Sequence, residues 1–159
     1  METENIKIKN LLETVTKLTS FLQASAETDF DFFYEAYKIL VTFSKVDWDC
    51  LKDELPKWSE DQLDVLVTTL HNEHGDQNRI NDNFFIGYIF TIAPDNLAIT
   101  ILDCFLYYFI SENKIESIEL LNSIEEKINL LYDGKYIREE TEYKFWKKFI
   151  QEAKNKAVC

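Results

Sequence analysis

Glycine and proline are scarce in this chain, and that scarcity limits its fold more than any other feature. Three glycines (Gly75, Gly87 and Gly134) and two prolines (Pro56 and Pro94) punctuate 159 residues. Average usage would give roughly 11 and 8. All-β folds depend on tight turns built from Gly, Pro, Asn and Asp. Phosphate-cradling loops need glycines so that backbone can approach the ligand. Sandwiches, barrels, dinucleotide folds and P-loops are therefore disfavoured together. Long helices joined by short connections remain.

The spacing of apolar residues agrees. Ile8, Leu11, Leu12, Val15, Leu18 and Leu22 recur at helical intervals. Thr28 with Asp31 resembles a capping box, and Phe30, Phe33, Tyr34, Tyr37, Leu40 and Val41 follow it. One short helix fits between Asp47 and Leu55, where Pro56 would stop it. Ser59 with Gln62 forms a second capping box ahead of Leu63, Leu66, Val67 and Leu70, with Gly75 placed to close that helix. A further segment holds Phe84, Phe85, Tyr88, Ile89 and Ile92. Pro94 then opens one carrying Leu97, Ile101, Leu102, Phe105 and Phe109. Two last helices use Ile118, Leu121, Ile124, Ile128 and Leu131, and Tyr143, Trp146, Phe149, Ile150 and Ala153. Phe85–Ile92 and Phe105–Ile110 also suit buried strands, but their helical neighbours favour helix. Residues 59–70 and 93–104 share a faint pattern at an offset of 34, without the signature of a helical repeat family. The expectation is an all-α protein: a single domain over 1–159, six to seven helices, arranged as a bundle or a stack of helical hairpins.

Three unpaired, widely spaced cysteines and an acidic N-terminus without an apolar run point to the cytoplasm. The apolar stretch from Phe84 to Ile110 is broken by Pro94, Asp95 and Asp103. Its pieces fall short of the roughly 20 residues a membrane span needs. The net charge is −12, with 29 acids against 17 Lys and Arg. Residues 25–134 carry −15 of it, whereas residues 135–159 carry +3. Such a middle section repels phosphate backbones and attracts a basic protein. No nucleic acid and no membrane is expected as partner.

His71-Asn72-Glu73-His74 is the candidate for metal chemistry. His at i and i+3 can face the same way, with Glu73 or Asp76 as a third ligand. The metalloprotease spacing is absent, and the group also suits a solvated last helical turn closed by Gly75. Asp76–Gly87 fails as a calcium loop, since Ile80 takes a ligand position and the closing Glu is missing. Cys104, between Asp103 and Phe105, is expected to be a small buried hydrophobe. Neither a cofactor nor a bound metal is expected, and no catalytic residue is assigned.

The stretch from Asp47 to Asp64 stands apart. It holds Trp48 and Trp58 among Asp47, Asp49, Asp53, Glu54, Glu60, Asp61 and Asp64. Tryptophan anchors interfaces, and surrounding carboxylates select a basic partner. The alternative is that both tryptophans are core and the acids are solvated. In size, charge and helical character the chain resembles the immunity proteins that neutralise bacterial toxins, acidic examples of which cover the nucleic-acid site of a nuclease. That resemblance implies a non-enzymatic protein docking a basic toxin domain. A secretion chaperone or adaptor is the nearest alternative. A metal-dependent helical enzyme using His71 and His74 is the alternative of another class.

Overall fold

The computed structural model describes residues 5–24, 31–71, 80 and 82–158. Among them every regular element is helical. Among the described residues eight helices form rather than six or seven, with 95–112 counted as one, because each of the eight periodic segments closes as its own helix. The chain gathers into two compact units, Met1–Ile80 and Asn81–Cys159.

The first unit contains α1 (Ile6–Ala24), α2 (Asp31–Leu40), α3 (Lys45–Glu54), a 3-10 turn at Leu55–Lys57, and α4 (Glu60–His71). Ile8, Leu11, Val15 and Leu18 form the buried stripe of α1. That stripe meets α2, α3 and α4. On α2, Phe33, Ala36, Tyr37 and Leu40 are buried, whereas Tyr34 and Val41 of the expected stripe are exposed. Val41 lies past the end of the helix, so the 3.6-residue period no longer holds it inward. α4 packs on α1 and α2, and its Leu63, Val65, Leu66, Val67, Thr69 and Leu70 are all buried. Each such aliphatic side chain contributes about 1.5–3 kcal/mol on leaving water.

Helix starts in this unit are set by side chains. The Ser59 amide donates to Gln62 Oε1 at 2.8 Å and the Gln62 amide to Ser59 Oγ at 3.2 Å, the reciprocal box read from sequence. The Thr28–Asp31 box and Gly75 lie outside the described residues. A box not anticipated joins Ser44 and Asp47, so α3 begins two residues earlier than expected. Leu55–Lys57, with Pro56 at its first positions, ends α3 as a proline should.

The second unit contains α5 (Phe85–Ile92), α6, α7 (Ile118–Asp133) and α8 (Glu140–Val158). α6 is one rod in three parts: Asp95–Ile101, a π turn at Leu102–Leu106, and Tyr107–Glu112. Both apolar stretches that also suited strands are helical. Gly87 in α5 answers to packing: a Cβ there would lie 2.8 Å from Phe109 Cε1 and 3.0 Å from Ile124 Cδ1. Both neighbours are themselves buried, so only glycine lets α5 approach this closely. Lys127 of α7 donates to the Ala93 carbonyl at 2.7 Å and lies 3.8 Å from Asp95, tying the α5–α6 corner to α7. α7 and α8 pair as a hairpin. Tyr132 and Tyr143 stack at 4.0 Å, and the Tyr143 hydroxyl donates to Asn129.

The π turn resets α6. Up to its first residue, Leu97, Ala98, Ile101 and Leu102 are buried; from its last residue onward, Leu106, Phe109 and Ile110 are. At about 100° per residue, an unbroken α-helix would carry the second set roughly a quarter-turn off the first. The extra residue of the wide turn absorbs that offset. The expected core residue Phe105 is consequently half-buried, and Leu106 takes its place. Cys104 is exposed rather than buried for the same reason.

Candidate functional site

Asp47, first in the acidic stretch, is held by its own unit. Its carboxylate accepts from the Ser44 amide at 2.9 Å, the Ser44 hydroxyl at 3.0 Å, Asn5 Nδ2 at 3.0 Å and Lys7 Nζ at 3.0 Å. The Ser44 amide above all, then Asn5 and Lys7, holds the group well below the usual carboxylate range. Lys7 also donates to the Thr42 carbonyl at 2.8 Å. Asp47 thus ties the start of α1 to the start of α3.

The two tryptophans differ. Trp48 is half-buried and meets Phe43 edge-to-face at 5.1 Å. Trp58 is 7% exposed, in the core beyond the 3-10 turn. Its indole N–H has no acceptor among the described residues, although a buried donor left unpaired costs about 1–3 kcal/mol. Asp49, Asp53, Glu60 and Asp61 face solvent, and half-buried Glu54 lies 3.4 Å from Lys57. Glu60 and Asp61 occupy the first turn of α4, where they suit the positive end of the dipole. Asp64, one turn on and half-buried, is pushed up by burial, then by the charges of Asp61 and Glu60. The stretch therefore presents a row of carboxylates that oppose one another along the opening of a rigid helix.

His71 is the last residue of α4 and is half-buried. Glu73, His74 and Asp76 lie outside the described residues. Among those described, no three His, Cys, Asp or Glu side chains gather as a metal would require. No helix among them is long and apolar enough to cross a membrane.

A feature that sequence reasoning missed lies on the second unit. Tyr107, Tyr108 and Phe145 are 47%, 51% and 49% exposed. Tyr107 stacks on Phe149 at 5.1 Å and on Phe145 at 6.4 Å, and the two phenylalanines stack at 5.7 Å. Tyr108 stands edge-on to Tyr107 at 5.7 Å. Helical spacing places Phe145 and Phe149 on one face of α8, and the π turn brings Tyr107 to meet them. Asp103, inside the π turn, is exposed. Across from it Glu142 is pushed up by burial, then by the charges of Asp103 and Glu139. Phe149 also lines an open groove of about 390 Å³ that continues past Glu112, Lys114, Glu152 and Lys156.

Compared with protein-family models, curated proteins and solved structures, the chain matches none.

Proposed function

We propose that this is a non-enzymatic binding protein that docks a basic protein partner in the cytoplasm, in the manner of an immunity protein neutralising a toxin. The observation that carries the reading is the carboxylate row on α4, in which Asp64 is raised by burial and by Asp61 and Glu60. The chain supplies more negative charge there than a helix start needs, and a cationic partner would relieve the repulsion. Asp49, Asp53 and Glu54 extend the same field along α3. Trp48, half-buried beside Phe43, offers the aromatic anchor. Asp47 and Trp58 act differently in this reading. They hold the surface in shape from within.

The product of the neighbouring gene is the first partner to test, by co-purification and stopped-flow association across a salt series. Charge reversal at Asp49, Asp53 and Asp61 should slow association more than it speeds dissociation, because rim charges act on encounter. Trp48→Ala should raise the off-rate. An on-rate indifferent to salt would refute the electrostatic reading, since exposed charges are screened beyond about 10 Å at 0.1 M.

A further inference from the structure

We propose that the aromatic shelf of the second unit, Tyr107, Tyr108 and Phe145 with Asp103 and Glu142, receives an arginine-bearing segment of a basic protein partner. This rests on the reading above that the partner is basic, and it adds a second docking surface chemically unlike the first.

Half-exposed rings are the first support. Tyr107, Phe145 and Phe149 form a continuous stack, and its faces are left open to the extent that Tyr107 and Phe145 are exposed. A guanidinium is planar and weakly hydrated, so it lies on such faces better than an ammonium does. Charge is the second support. Asp103 and Glu139 both act on Glu142 with negative charge, and Asp103 stands among the exposed residues of the π turn. Asp103 and Glu142, about one helical turn before Tyr107 and Phe145 respectively, supply carboxylates for the edge N–H groups of one guanidinium stacked on the rings. The lysines of α8 are largely drawn elsewhere: Lys144 pairs with Glu140 at 3.1 Å, and Lys147 and Lys154 pair with Glu125 at 3.3 and 3.1 Å. Lys148 is exposed next to Phe149 and opposes an incoming cation.

Backbone geometry is the third support. π turns are rare and recur at functional sites. Here the turn carries Asp103 and directly precedes Tyr107 and Tyr108. The groove beyond Phe149, lined by both acids and lysines, gives the residues flanking the arginine a track to follow. A peptide segment fits this better than an isolated side chain.

The test uses the full-length chain and an acetylated, amidated Gly-Arg-Arg-Gly peptide, with its lysine and citrulline counterparts as controls. Aromatic ring resonances are followed by NMR as each peptide is added. The arginine peptide should shift Tyr107, Tyr108 and Phe145 saturably, the lysine peptide should bind more weakly, and citrulline should not bind there. Phe145→Ala should weaken the arginine peptide about fivefold, the size of one partly exposed cation–π contact. Asp103→Asn should weaken it further, whereas Lys148→Glu should tighten it. Ring spectra of each variant report whether it is folded. Shifts confined to residues 47–64 would overturn the shelf and leave the basic-partner reading standing. So would the absence of any shift, because the salt series decides that reading separately. A self-associated form that Phe145→Ala dissolves would assign the shelf to a second copy of the chain and equally overturn the proposal.

Discussion

Asp47 and Asp82, one in each unit, both serve the start of a helix, and their surroundings drive them in opposite directions. Asp82 accepts from the amides of Phe84, Phe85 and Ile86 at 3.0, 2.6 and 2.9 Å. Burial pushes its carboxyl up in spite of those three donors. Asp47 has the Ser44 amide and, in addition, Asn5 and Lys7, and it is held down. The contrast teaches that desolvation decides the direction: at Asp82 it outweighs three backbone donors, whereas at Asp47 it is the smaller effect and the Ser44 amide, followed by Asn5 and Lys7, prevails.

Removing Asp82 is the strongest way to break this comparison. Asp82→Ala leaves three amides at the start of α5 without their acceptor and should cost about 2 kcal/mol. Urea unfolding followed by helix signal measures it, and an unchanged midpoint would show that water serves α5 as well as the aspartate does.

The pH dependence of the two conservative variants sharpens it. An ordinary unfolded-chain aspartate titrates near 3.9. Asp47, held below that value when folded, contributes stability that is complete above it and is lost as pH falls through the folded value. The stability gap between the native protein and Asp47→Asn should therefore narrow below about pH 4. Asp82, raised when folded, contributes stability that is present below the unfolded value and is lost as pH rises through the folded one. Relative to Asp82→Asn, the native protein should thus gain as pH falls from 7 towards 4. Parallel slopes for the two variants would remove the contrast.

The smallest effect belongs to Lys7→Met, which keeps the side-chain stem and removes the charge. Stability at neutral pH should change little, because Lys7 is itself 44% exposed. Carboxyl titration by NMR should nevertheless place Asp47 closer to an ordinary aspartate. An unmoved titration would assign the whole depression to Ser44 and Asn5.

Much of the fold was legible because local rules and tertiary packing agree. The α1 stripe, the Ser59–Gln62 box and the breaks at Pro56 and Pro94 all follow from spacing and backbone chemistry. The Ser44–Asp47 box was missed although its serine and aspartate have box spacing, because Asp47 was counted with the surface acids around Trp48. Its role depends on Asn5 and Lys7, some 40 residues away, which no local pattern reveals. The aromatic shelf was missed for another reason. Tyr107, Tyr108 and Phe145 lie off the expected stripes of their helices, and rings on two separate helices give no local signal that folding brings them together. The carboxylate row was legible as composition, but the raised state of Asp64 needs the burial that folding creates.

The wide turn in α6 also fixes how this rod tolerates changes in length. Removing one residue from Leu102–Leu106 would let the backbone close at ordinary α pitch, and the faces on either side would stay in line, because the turn already carries one residue more than an α-helix needs. An added residue has no such outlet. Everything downstream would swing by about 100° relative to everything upstream. Phe109 would leave the place where Gly87 admits it, and Tyr107 would part from Phe149, although no side chain had been altered. In a connecting loop a gain of one residue is absorbed by slack. Within this rod a single-codon insertion acts like the simultaneous replacement of a whole helical face, whereas a single-codon deletion in the turn restores an ordinary helix.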